Sequence, residues 1–373
     1  MSHQFVAVLD AVQDVSRGNV KIPQKEYLEA GEFPVVDQGQ SLVGGYTDDE
    51  SRLCKAEPPV IVFGDHTRAV KYVDFHFCMG ADGTKVLAPR DGNDPRYLYH
   101  AISALDLEGA GYSRHFKFLK EKRIPLPPLA EQKRIAKVLD AADALRVKRR
   151  ESLAKLDALL QSTFLEMFGD PVENPKGWQQ VSISSTESQV QIGPFGSLLH
   201  KDDYVTNGTP LVNPKHIVDG RIAVSDKETV SPAKAQELGG YQLRSGDVVL
   251  GRRGEMGRAA VVRESDGAVL CGTGSMFVRP NDRKLHPEYL QNLLSCAPMR
   301  EKLEQIASGV TMLNLNATKI KELVIPVPPI ADQEKYPGAQ ASISRQRDRY
   351  EAQAADLGNL FAALQQRAFT GQL

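Results

Sequence analysis

The chain has 373 residues, 41% of them hydrophobic and 25% charged, with a formal net charge of −1, a composition that fits a globular protein and excludes disordered and fibrous classes. No run reaches the roughly 18 apolar residues that span a bilayer, and the opening MSHQFVAVLD has neither the basic start nor the apolar core of a signal peptide, so a non-membrane, cytoplasmic protein is expected. Cys54, Cys78, Cys271 and Cys296 form no C-x-x-C pair and the eight histidines show no ligand spacing, so neither a disulfide framework nor a metal site is expected.

The length suggests two or three domains. The small net charge hides an asymmetry: residues 1–113 carry −7, residues 114–155 carry +8 and residues 171–324 carry +1. A concentrated basic segment can bind phosphate in a nearly neutral chain, although a solvated helix face would look the same.

In chain order, the first distinctive stretch is FGDHTRAVKYVDFHFCMGADGTKVLAP (Phe63 to Pro89), with His66, Arg68, Lys71, His76 and Lys85 among aromatics. Alternating basic and aromatic residues can contact DNA or form an ordinary half-exposed strand; Arg68, Lys71 and Lys85 are the candidate contacts. The phrase IPLPPLAEQ follows at Ile124. Its prolines fix φ and lack an amide donor, so the backbone should be extended there and a helix can start only afterwards. From Glu131 to Phe168 apolar residues recur at spacings of three and four, as in an amphipathic helix. GDPVENPKGW (Gly169 to Trp178) reads as a join.

Beyond the join, GDVVLGRRGEMGRAAVV sets Gly251, Gly254 and Gly257 beside Arg252, Arg253 and Arg258, between two β-branched runs that read as strands. Glycines allow close approach to a phosphate and arginines supply bidentate donors, so the three arginines are candidate DNA contacts; the alternative is a hairpin with solvated arginines. The glycine spacing is wrong for a dinucleotide-binding turn. CGTGSMFVRP at Cys271 reads as a turn before a strand.

At Ile325 the chain repeats itself. IPVPPIADQ matches six of the nine letters of IPLPPLAEQ, 201 residues on; PEYLQNLLS at Pro287 resembles PRYLYHAIS at Pro95, and KIKELVIPVPP resembles FLKEKRIPLPP. After the second hinge Ile343, Tyr350, Leu357 and Leu364 recur every seven residues, with Ala354, Phe361 and Ala368 as companion row. The same shift puts Ala142, Arg149, Leu156 and Thr163 in the first helix on the seam, with Leu153, Leu160 and Met167 beside them. Two matching helices with one apolar stripe each are expected to pair; the heptads leave their direction open. Pro337 and Gly338 should break the first turn of the second helix, so that its seam starts near Ser342.

The chain shows no phosphate loop, no [DN]-P-P-[YF] tetrapeptide and no P-D followed by E-x-K, which argues against an enzyme. A self-contained modification or nicking enzyme of unfamiliar motif and a coiled-coil protein scaffold are the alternatives.

Taken together and in order, the twin hinges with their helices, GYSRHFKFLKEKRIPLPP, the Phe63 to Pro89 stretch, GDVVLGRRGEMGRAAVV, CGTGSMFVRP and NLNATKIKELVIPVPP resemble the specificity subunit of a type I restriction-modification enzyme. The resemblance implies an α+β fold: two similar globular α/β target recognition domains (1–123 and 171–324), separated by two long helices, with their hinges at 124–170 and 325–373, forming an antiparallel coiled coil. Leu153, Leu156, Leu160, Tyr350, Leu357, Phe361 and Leu364 would form its seam. It implies a non-catalytic chain that binds a bipartite, interrupted target in double-stranded DNA and carries two methyltransferase subunits and motor-nuclease subunits. S-adenosylmethionine and ATP with Mg would belong to those partners, and Pro127, Pro128, Gln132, Pro328, Pro329 and Gln333 of the hinges would contact them. The acidic first domain sits awkwardly with DNA binding, an effect the basic first helix would offset.

Overall fold

The computed structural model describes residues 4–107, 114–309 and 313–373; Gly111, Tyr112 and Ser113 of the GYSRHF phrase fall outside them. The chain divides into two compact units, residues 1–151 with 350–373, and residues 152–349. The division runs through both long helices rather than at their ends, because each helix gives part of its length to each core. Ile135, Ala136 and Leu139 of the first helix are buried in the first unit with Ala368 of the second helix, whereas Phe164 and Phe168 are buried in the second unit with Tyr336.

The first unit is built on an antiparallel sheet in which Val12–Asp14, Thr84–Pro89, Val60–Gly64 and Val70–Val73 lie side by side in that order. Its central strand VIVFG is buried at every residue, so it is apolar without alternation. A second, mixed sheet runs Lys21–Ile22, Cys78–Gly80, Phe33–Val36, Gly45–Thr47. The helix Pro95–Ser103 starts at Asp94, whose side chain accepts from the Tyr97 N–H, satisfying one of the donors a helix start leaves open. A ribbon pairs Phe5–Ala7 with the hinge strand Arg123–Pro125.

The second unit repeats this plan. Gln189–Ile192, Ser275–Arg279, Val248–Gly251 and Ala259–Val261 have the same spatial order; Pro287–Ser295 is the counterpart helix, and Gln179–Ser182 pairs with the hinge strand Val324–Val327. The runs read as strands around the arginine cluster, Val248–Gly251 and Ala259–Val261, are neighbours in this sheet.

The first long helix runs unbroken over Leu129–Phe168. The second begins with a single turn, Ile330–Gln333, and restarts as Tyr336–Phe369. The first turn is thus broken off, as expected, at Glu334 and Lys335, but contact with the first helix starts at Tyr336, ahead of the expected Ser342. Pro337 sits in the first turn of the resumed helix, where its missing N–H has no bond to lose. Tyr336, fully buried, anchors that turn with ring centroids 5.5 Å from Phe164 and 5.8 Å from Phe168.

The helices are antiparallel. In the first unit the Arg146 guanidinium lies 4.4 Å over the Phe361 ring and that of Arg149 lies 3.9 Å over Tyr350; in the second, Asp157 meets Arg347 at 2.9 Å and Phe164 meets Tyr336. In each unit the partner's number falls as the first helix's number rises. Leu153, Leu156, Leu160, Tyr350, Leu357, Phe361 and Leu364 are all half-buried.

Candidate nucleic-acid interface

The hinges are held by the same bonds in both copies. Tyr97 donates its hydroxyl to the Pro125 carbonyl at 2.6 Å, and Tyr289 donates to Pro326 at 2.7 Å. Burial of both phenols pushes their pKa well above the usual value. Gln132 accepts from the Asp94 N–H at 2.8 Å and donates to the Pro127 carbonyl at 2.8 Å; Gln333 accepts from the His286 N–H at 2.8 Å and donates to Pro328 at 2.7 Å. Each glutamine ties the hinge to the start of the neighbouring short helix, supplying an acceptor to an orphan helix-start donor and a donor to a proline carbonyl.

This corrects the expectation for four of the hinge residues. Gln132 is 2% exposed and Gln333 0%, and Pro127 and Pro328 are buried, so all four act inside the fold. Pro128 and Pro329 are exposed and remain available to a partner.

At the end of the central strand each unit carries a turn pinned by its first residue. In the second unit the Arg252 N–H donates to the Gly274 carbonyl at 3.0 Å, and the Arg252 carbonyl accepts from Leu315 at 2.8 Å. Its side chain, 8% exposed, points inward: Nε lies 3.2 Å from both Asn314 Oδ1 and the Leu315 carbonyl. Burial, and then neighbouring Arg253, lower its pKa. Arg253 is exposed at the turn, beside Gly254 at φ +77° with open space around it. Arg258 is half-exposed and forks onto Glu255 at 2.8 and 2.5 Å. The three arginines thus share one turn but not one environment.

The first unit has the same backbone bonds around Asp65. Its N–H donates to Gly83 at 2.7 Å, its carbonyl accepts from His115 at 2.7 Å, and its carboxylate accepts from the Phe116 N–H at 2.8 Å. Arg68 is exposed, at φ +62°, and donates to the Leu107 carbonyl at 2.9 Å. Lys85 is half-buried, its ammonium 4.9 Å over the Phe116 ring.

Lys71 is not a surface cation. It is 6% exposed and donates to the Asp37 carbonyl at 2.8 Å, with the Asp37 carboxylate at 3.5 Å; burial lowers its pKa. Strand alternation turns Lys71 and Val73 inward together, so the residue read as a DNA contact instead pairs with the half-buried carboxylate of Asp37.

The glycines of the CGTGSM phrase serve close packing. A Cβ on Gly272 would lie 2.3 Å from Asn213 Oδ1, and one on Gly193 would lie 1.9 Å from the Gly272 carbonyl. The loop after Gly193 is therefore seated directly on the 272–275 turn, and it holds outward two apolar residues that sequence reasoning passed over, Phe195 at 54% exposure and Leu198 at 44%. The available signal was GPFGS, an aromatic framed by glycines and proline.

Two copies of one lobe, each with a pinned turn at the sheet end and each closing on a stapled hinge and a long helix, define a duplicated recognition protein. The family model described as type I restriction modification DNA specificity domain matches twice, over residues 9–156 and 191–338, and the chain belongs to that family. It is 23% identical over 323 residues to the type I restriction enzyme EcoBI specificity subunit of Escherichia coli, covering 78% of this chain and 68% of that one. Its fold is similar to the crystal structure of the type I restriction-modification system S subunit from M. genitalium, at TM-score 0.57 and 16% identity over 98% of this chain and 96% of that one. A chain from a structure describing complex assembly and conformational transition of the type I R-M system gives TM-score 0.54 and 18% identity, covering 100% of this chain and 98% of that one. The chain is accordingly a DNA-recognition component of a type I restriction-modification system, not its catalyst. Among the described residues no helix is long and apolar enough to cross a membrane.

Proposed function

We propose that each lobe reads one half of an interrupted target in double-stranded DNA, while the helix pair carries two methyltransferase subunits and motor-nuclease subunits. The observation that carries this reading is the duplication down to single bonds, with Tyr97 and Tyr289, and Gln132 and Gln333, making the same contacts. Two equivalent readers suit two half-sites. Arg253 leads the phosphate contacts, supported by Arg258, Arg68 and Lys85. S-adenosylmethionine, and ATP with Mg, bind the partner subunits.

The test lengthens both helices by one matched heptad. Seven residues are almost two turns, so the seam is kept and the pair grows by about 10 Å. At about 3.4 Å per base pair, methylome sequencing should find the same two half-sequences with a gap about three pairs longer. A complex that methylates at the original gap would show that the helices do not set it. The purified chain alone should transfer no methyl group.

A further inference from the structure

The two lobes are fastened to the long helices differently. In the first unit the helix Pro95–Ser103 meets the long helix directly: His100 Nε2 lies 2.7 Å from Asp140 Oδ1, and Arg96 stands between Asp140 at 3.9 Å and Asp74 at 3.7 Å. The offsets between the copies place Glu288, Asn292 and Ala341 at the positions of Arg96, His100 and Asp140, a set that cannot make those bonds. In the second unit a groove of about 960 Å³ opens here, with Glu288, Asn292 and Ala341 among its walls.

Besides the ring contacts of Tyr289 with Phe164 and Phe168, at 5.7 and 4.8 Å, a charged side chain fastens that lobe from another direction. Arg347 of the second long helix donates from Nε to Asp157 of the first at 2.9 Å, and from Nη2 to Asp219 at 2.8 Å. Asp219, at φ +50°, and Gly220, at φ +73°, form the tip of the hairpin Ile217–Val218 and Arg221–Ile222, a turn in which both central residues have positive φ. The arginine side chain is 9% exposed, while those of Asp157 and Asp219 are 51% and 63% exposed. The cation is thus covered and its carboxylates face water, an arrangement that suits the rigid fork of arginine and not the point charge of lysine. The adjacent Arg221–Asp348 pair is exposed on both sides and contributes little.

We infer that Arg347 is a positioning residue of DNA recognition: as a strut beside an open groove, it sets the angle at which the second lobe is carried on its helices, and so the gap tolerated between half-sites. This rests on the bipartite reading above. The test uses the assembled methyltransferase on duplexes whose gap is the preferred one or one pair shorter or longer. Arg347→Ala should lower discrimination between these gaps at least about fivefold, the low end of coupling between two sites, with both half-sequences still required. Arg347→Lys should fall between the two. Asp219→Asn, which spares the Asp157 contact, should reproduce the loss, and Arg221→Ala should not. Unchanged gap discrimination in a folded Arg347→Ala complex overturns the proposal; if that variant does not fold, unchanged discrimination in Asp219→Asn overturns it. A wild-type complex that needs only one half-site refutes the bipartite reading itself, and the strut's role falls with it.

Discussion

Asp65 and Arg252 occupy the same place in the two lobes and carry opposite charges. Both give a backbone N–H to a glycine carbonyl, Gly83 or Gly274, and both accept from the segment that returns to the hinge, at His115 or Leu315. Only the side chains differ: the carboxylate accepts from the Phe116 N–H, while the guanidinium donates to Asn314 and the Leu315 carbonyl. The shared framework is made of main-chain bonds, which tolerate either sign of charge provided that the buried group finds a partner of the right polarity. Local charge can therefore diverge between lobes while the plan stays the same. The acidic balance of the first 113 residues belongs to this divergence, since part of it is turned inward at Asp65 and at Asp37 beside Lys71.

The largest effects should come where the lobes agree. Gln132→Leu and Gln333→Leu each strand a helix-start N–H and a proline carbonyl in the interior, and each should cost about 2–4 kcal/mol. Thermal unfolding followed by circular dichroism should show losses of several degrees, similar for the two variants. A hinge that tolerated the change in one copy alone would break the equivalence. Next come the residues where the lobes differ: Asp65→Ala and Arg252→Ala should each cost about 1–3 kcal/mol, the range for a buried polar partner removed, measured by urea denaturation. The exchange Arg252→Asp should cost more than Arg252→Ala, because it places a carboxylate beside the Asn314 and Leu315 oxygens.

Arg253→Ala should leave stability within about 0.5 kcal/mol and lower the slope of log affinity against log salt by about 0.9 in the assembled complex, one phosphate contact's worth. Lys71→Ala should do the reverse, costing stability through the lost contacts with the Asp37 carbonyl and carboxylate with no change in slope. An unchanged slope in Arg253→Ala would assign that turn to something other than phosphate. The smallest effect concerns the thiols. Burial pushes Cys78 and Cys296 up to about 11, so a maleimide at neutral pH should label neither until the chain is unfolded. Because their folded pKa lies above the ordinary value of 9.0, the stability they contribute is complete below about pH 9 and is lost as pH rises towards about 11. Rapid labelling of the native chain would show that these positions open to solvent.

The duplication, the hinges, the long helices and the strands around the arginine cluster could all be read from the sequence, because offset, proline and periodicity are local signals. The work of Gln132 and Gln333 could not. Repetition of a polar residue fits a repeated docking face as well as a repeated internal bond, and only the position of Asp94 and His286 decides between them. Lys71 was misread because its partner Asp37 lies 34 residues away, and alternation does not say which face is inside. The seam starts at Tyr336 and not near Ser342 because the cost of proline depends on its position in the helix: Pro337 costs little in a first turn. Arg252 and Arg253 are adjacent and indistinguishable as letters, yet one is 8% exposed and the other lies at the surface.

The stapled hinge also bears on inheritance. In each copy the staple closes within a short span of chain, from Asn93 to Gln132 and from Lys284 to Gln333, and every bond in it is complete before the long helix is under way. A genetic crossover placed inside the first helix after Glu151 passes on the first unit's whole share of that helix with its hinge already locked. The recombinant gene then joins two cassettes along matching helical stretches, and new pairings of lobes can arise in one event, with refitting confined to where a core packs on the other cassette's helix, as the first does on Ala368.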